Sequence, residues 1–127
     1  CGNMDWGLLA KTKLDIISFD AYLFGDKIAL YPEDINNFLE RGGTLACGIV
    51  PTSDADILNK ETPESLKEKY DELLILYENK GIKTELIKEQ TVLTPSCGMG
   101  SGSLTVKDTD RILELLGKLT ELLLRIK

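Results

Sequence analysis

The sequence contains no histidine. That removes the commonest metal ligand and general base, and with them any Ser-His or Cys-His arrangement within these 127 residues. Cysteine is scarce as well. Cys1, Cys47 and Cys97 are odd in number and far apart, which argues against a disulfide framework and for a reducing, cytoplasmic compartment with thiols free or on metal. No apolar run approaches the ~20 residues that span a bilayer, so no membrane association is expected. Positive charge is in deficit, with 15 Lys and Arg against 21 Asp and Glu. Without a basic cluster there is no electrostatic footprint for nucleic acid. A secretory signal pattern is also missing at the start, where Cys1 is followed by Gly2, Asn3, Met4 and Asp5. An opening on Cys1 reads as a cut end, so the chain is expected to be an engineered or proteolytic fragment, or the C-terminal piece of a longer protein.

What is present is the composition of a globular chain, 43% hydrophobic and 28% charged. Its length suits a single domain over residues 1–127. Along it, two kinds of pattern alternate. "KLDIISFDAY" (13–22) is an apolar run bounded by charge and predicts a strand. "YPEDINNFLERGG" predicts a helix, with Pro32 in its first turn and Gly42 and Gly43 as its stop. "TLACGIVPT" (44–52) is continuously apolar, as in a strand buried on both faces. Residues 62–81 form the clearest helix: Thr62 caps it, Pro63 opens it, Leu66, Tyr70, Leu73, Leu74 and Tyr77 share one face, and Gly81 ends it. "TVLTPSCG" (91–98) predicts a third strand, and the stripe from Ile112 to Ile126 a final helix. "MDWGLLAKT" predicts a short helix that follows a strand outside the chain.

Strands alternating with helices imply an α/β fold of parallel βα units joined by right-handed crossovers. Two architectures fit: a small doubly wound sheet, or part of a (β/α)₈ barrel. A whole barrel takes ~250 residues, so the chain would supply about half of one. In both, ligands gather at the carboxyl ends of the strands. The residues expected there are Cys1 and Asn3, then Asp20 and Tyr22, then Pro51, Thr52 and Asp54, then Ser96, Cys97 and Gly98. Two thiols and a carboxylate from neighbouring loops make a reasonable zinc set. Each has a plainer reading. Cys97 is a small buried hydrophobe, Cys1 a chain end, and Asp20 a cap on the following turn. Cys47, in mid-strand, reads as core. "CGMGSGS" has glycines enough for a phosphate loop, but it lacks G-x-G-x-x-G and the P-loop lysine.

"CGN" followed by a helix, then "IISFDAY", "GIVPT" and "TPSCGMGS" in that order resemble the C-terminal end of the catalytic barrel of cobalamin-independent methionine synthase. The resemblance extends to its superfamily, which includes the zinc-dependent corrinoid–coenzyme M methyltransferases and, more distantly, uroporphyrinogen decarboxylase. It runs over essentially the whole chain. It implies the C-terminal half of a TIM (β/α)₈ barrel, with Zn²⁺ held by the cysteine of a His-x-Cys motif, an acidic residue one strand on, and a second cysteine in a P-x-C-G segment. Cys1 matches the first cysteine and Cys97, in "TPSCG", the second. Asp20, in "SFDAY", stands where the synthase has a glutamate, one methylene longer. The histidine would lie two residues before Cys1.

"CGN" is closer to the corrinoid branch, whereas "IVPT" and "PSCGMGS" are closer to the synthase. The expected function is therefore methyl transfer from a methylated folate or a corrinoid to a thiol such as homocysteine. Zn²⁺ sits on Cys1, Asp20 and Cys97, and the fragment itself is inactive and weak in zinc. A reading of another class is a non-catalytic βα fragment that self-associates into a homodimer through its open sheet edges.

Overall fold

A computed structural model describes residues 4–99 and 103–125. Ten elements follow one another: α1 (Trp6–Ala10), β1 (Ile16–Phe19), α2 (Ala21–Ile28), α3 (Pro32–Glu40), β2 (Thr44–Val50), α4 (Ala55–Lys60), α5 (Pro63–Asn79), α6 (Thr84–Glu89), β3 (Thr91–Pro95) and α7 (Val106–Arg125). The fold is mixed α/β. Its three strands form one parallel sheet in the order β1-β2-β3, with Ile16 paired to Thr44 and Leu45 to Thr91. The order is sequential and lacks, among the described strands, the reversal that marks a doubly wound sheet.

Helix starts follow local chemistry. The carboxylates of Asp5, Asp20 and Asp54 each accept backbone N–H groups at the head of α1, α2 and α4. Thr62 and Ser65 form a reciprocal capping box on α5. Both long-range stops are Schellman motifs. At the end of α3 the Gly43 N–H donates to the Phe38 carbonyl at 2.9 Å and that of Gly42 to Leu39 at 3.0 Å. At the end of α5 the Ile82 N–H donates to Tyr77 at 2.9 Å and that of Gly81 to Glu78 at 3.0 Å. Gly42 and Gly81 take φ of 94° and 91°, the left-handed conformation this motif needs.

Three helices were not anticipated. The segment after Asp20 turns directly into α2, so Tyr22 lies in a helix rather than at a strand end. Gly25 and a non-helical Phe24 (φ −126°, ψ 20°) interrupt its pattern. α4 and α6 have six residues each, and α6 begins on Lys83 with no side-chain cap, so neither carries enough period or start signal to be read.

Burial alternates along β1: Ile17 and Phe19 are buried, while Ile16 is 59% exposed and Ser18 is exposed. One face of the sheet therefore packs into the core, with Leu45, Cys47, Ile49 and the helix residues Phe38, Leu66, Leu74, Ile112, Leu115 and Leu119. The opposite face is exposed at the flanking strands, at Ile16, Ser18 and Val92, the last 50% exposed, whereas Ala46 of β2 is buried there, so the central strand is covered on both faces. Trp6 of α1 packs edge-on against Phe19, ring centroids 5.9 Å apart. Arg41 fastens the α1–β1 connection by donating to the carbonyls of Ala10, Thr12 and Leu14, with its guanidinium over the Phe38 ring. Gln90 joins the start of β3 to the end of α3 through the carbonyls of Leu39 and Gly43.

Candidate functional site

The carboxyl ends of the three parallel strands lie on one rim, and the residues expected there divide into three groups. Cys1 and Asn3, together with Gly100 to Gly102 of the glycine run, fall outside the described residues. Asp20 and Cys97 are described and flank the sheet on either side of β2. Thr52 and Ser96 bond to each other across the rim.

Asp20 follows Phe19, the last residue of β1. Its Oδ1 accepts the Leu23 N–H at 2.9 Å, so the cap reading of this residue holds. The carboxylate is buried at 8% exposure, and its other oxygen takes no hydrogen bond from the described residues. A carboxylate anchored through one oxygen keeps the second available as a ligand. Two residues on, the Tyr22 hydroxyl donates to Glu61 Oε1 at 2.6 Å, and Ser65 Oγ donates to Oε2 of the same carboxylate at 2.5 Å. The Lys69 ammonium lies 4.4 Å from the Tyr22 ring centroid. Burial first, then the hydrogen bond to Glu61 and its negative charge, push the Tyr22 phenol up to about 12. This network ties the first turn of α2 to the head of α5. No sequence pattern announces it, because its partners are joined only by the fold.

Cys97 is exposed, which overturns the reading of it as a buried hydrophobe. Cys47 is buried, as its mid-strand position predicts. Desolvation, with a smaller contribution from the Asp20 charge, raises the Cys47 thiol to about 12. It is held as a neutral core side chain and is unsuited to act as nucleophile or ligand.

The backbones that lead into the two described candidates both come close to Gly48. A Cβ at this position would lie 2.9 Å from the Phe19 carbonyl oxygen and 2.8 Å from the Ser96 Cα. The backbones immediately before Asp20 and before Cys97 thus close on the same point of β2. Just beyond it the Ser96 N–H donates to the Val50 carbonyl at 2.8 Å. Ser96 Oγ accepts the Thr52 N–H at 3.1 Å and shares a hydrogen bond with Thr52 Oγ1 at 3.0 Å.

Among the described residues, no cluster of three cysteine, aspartate or glutamate side chains is close enough to hold a metal ion. The third member of the proposed set, Cys1, is not one of them. A cavity of about 580 Å³ lies elsewhere, between α5, α7 and the start of β3. Tyr70, Leu74, Thr91, Leu93 and Leu123 line it, and it contains neither Asp20 nor Cys97. No helix among the described residues is long and apolar enough to cross a membrane.

Comparison with family models, curated proteins and solved structures yields no match to the chain.

Proposed function

We propose that the chain is the C-terminal part of a zinc-dependent (β/α)₈ methyltransferase that resembles cobalamin-independent methionine synthase and transfers a methyl group to a thiol such as homocysteine. Cys1, Asp20 and Cys97 would hold the metal. The observation that supports the reading is the close approach at Gly48 of β2, where the backbones that lead into Asp20 after β1 and Cys97 after β3 both come near, the thiol exposed and one carboxylate oxygen without a hydrogen bond from the described residues. Sequential parallel pairing is what a barrel segment requires.

The donor set suits zinc, which takes thiolate sulfur and carboxylate oxygen in a tetrahedral shell and keeps a position open in catalytic sites. When bound there, zinc would supply the Lewis acidity that keeps a thiol substrate deprotonated near neutral pH. The chain's own part is to hold the donors. Asp20 is fixed by its cap on α2, and α2 by the Tyr22–Glu61 bond. With a methylated folate as donor, a carbon–sulfur bond forms as the methyl–nitrogen bond breaks, and the nitrogen takes up the proton that the thiol has lost.

The test is zinc content and methyl transfer from a methylated folate to homocysteine in the full polypeptide and in its Cys97→Ser variant. The variant is expected to lose most of its zinc and all turnover. Full zinc occupancy in the variant refutes Cys97 as a ligand. Turnover with a methylated corrinoid, and none with folate, moves the chain to the corrinoid branch.

A second reading rests on the open sheet face. Ile16 and Val92 present apolar surface there, and among the described residues β1 and β3 each pair on one side only. The isolated chain is accordingly expected to self-associate. A sedimentation profile that stays monomeric at high concentration refutes this.

A further inference from the structure

The cavity between α5, α7 and the start of β3 has the make-up of a small-molecule site. Its volume of about 580 Å³ falls within the ~300–1,000 Å³ usual for such pockets. Leu74, Leu93 and Leu123 supply apolar walls, and Ile75 and Leu124, 59% and 60% exposed, border its mouth. The charges around it cancel: Lys67 and Asp71 pair at 2.5 Å, and Lys88 is balanced by Glu78. Within this lining one polar atom stands out. Thr91 Oγ1 is buried without a partner among the described residues, and it lies beside the Tyr70 hydroxyl without bonding to it in ordinary geometry. Tyr70 is 7% exposed, and burial above all raises its phenol to about 12, so it is held as a neutral hydroxyl. A buried hydroxyl that has lost water and gained no partner is costly, and such atoms are few in native structures.

We propose that this cavity binds an uncharged, mainly aliphatic molecule with a single hydroxyl or carbonyl oxygen, the oxygen at Thr91 and Tyr70 and the chain along Leu74, Leu93 and Leu123. Each part of the lining selects one part of the ligand. The leucine walls reward an alkyl chain, since every methylene taken out of water is worth about fourfold in affinity. The cancelled charges give a carboxylate or an ammonium no net attraction to offset its desolvation. The ligand oxygen supplies the partner that Thr91 lacks. Water would satisfy the hydroxyl but leave the apolar walls wet. The proposal is independent of the zinc reading, because neither Asp20 nor Cys97 lines the cavity.

The experiment titrates the ¹⁵N-labelled chain with 1-octanol up to its solubility limit, and in parallel with octanoate, and follows the backbone amides by two-dimensional NMR. Octanol should give saturable shifts centred on the lining segments of α5, β3 and α7, with a midpoint at least about tenfold below that of octanoate. Thr91→Val puts a methyl where the orphaned hydroxyl stands, so it should fold normally and raise the octanol midpoint by roughly two- to tenfold, the range of one hydrogen bond. Leu123→Trp fills the cavity and should abolish the saturable shifts. Shifts that never saturate, or that saturate elsewhere in the chain, overturn the site. Octanoate binding as tightly as octanol overturns the ligand class, and an unchanged midpoint in Thr91→Val overturns the recognition of the oxygen. If the same amides move on dilution of the chain without any probe, a second copy fills the cavity and the proposal falls. Should Leu123→Trp lose its amide dispersion, Ile75→Trp at the exposed mouth replaces it, and full octanol binding by that variant overturns the site.

Discussion

Gly48 offers the sharpest test of how the strand ends are packed. The perturbation is a single methyl group, Gly48→Ala. Its carbon would sit 2.8 Å from the Ser96 Cα, 2.9 Å from the Phe19 carbonyl oxygen and 3.0 Å from the Pro95 carbonyl oxygen. All three are backbone atoms of neighbouring strands, so no side chain can rotate away, and β1 or the end of β3 must move. Overpacking of this kind costs about 1–3 kcal/mol. For a chain of this size each kcal/mol lowers the melting temperature by roughly 4 °C, which sets the expected fall at about 4–12 °C. Thermal unfolding followed by circular dichroism measures it, with Gly98→Ala as the control, since a methyl there meets nothing within 4 Å. A melting temperature for Gly48→Ala equal to that of the unmodified chain would mean that the strands do not close on this residue.

Two other glycines should respond in opposite directions. Gly81→Ala forces a side chain into the left-handed region at φ 91° and should destabilise by about 1–2 kcal/mol although the space around it is empty. Gly117→Ala, exposed in the middle of α7 with no neighbour to strike, should stabilise by about 0.5–1 kcal/mol in urea unfolding. Alkaline pH should destabilise the chain through Cys47 and Tyr70, whose folded forms titrate at about 12 mainly because burial disfavours the charged state. Raised values favour the neutral forms. The contribution of Cys47 is therefore complete below pH 9 and that of Tyr70 below pH 10, and both are lost as pH climbs toward 12. Urea midpoints measured from pH 8 to 12 should fall, and Cys47→Ala should make the decline shallower. An equal decline in that variant would show that the Cys47 thiol is not what titrates.

Much of the fold was legible because each of its signals is local. Pro32 and Pro63 at helix starts, Gly42 and Gly81 at helix ends, and the unbroken apolar run from Leu45 to Val50 act over a few residues, and all sit where their chemistry requires. Helix α2 was hidden because Asp20 has two roles in succession, closing β1 and capping the next helix. The apolar run through Phe19 and Tyr22 conceals the change of period. At the candidate site, the placement of Asp20 and Cys97 at strand ends could be read from the alternation of elements. The exposure of Cys97 could not, since a cysteine after an apolar strand is as well suited to the core. The Tyr22–Glu61–Ser65 network and the Thr52–Ser96 pair join residues about forty apart in sequence, a separation over which hydrophobic periodicity carries no information.

The sheet's sequential order also bears on how the rim is assembled. Joining Ile16 to Thr44 closes a shorter loop than joining Leu45 to Thr91. Loop-closure entropy grows only with the logarithm of length, so the difference is a few tenths of a kcal/mol. It nonetheless favours β1 and β2 as the earlier pair, with β3 added to an existing template. Asp20 then gains its place as soon as the first two strands meet, whereas Cys97 waits for the third. A site at this rim that needs both residues would therefore be complete only once the third strand has joined.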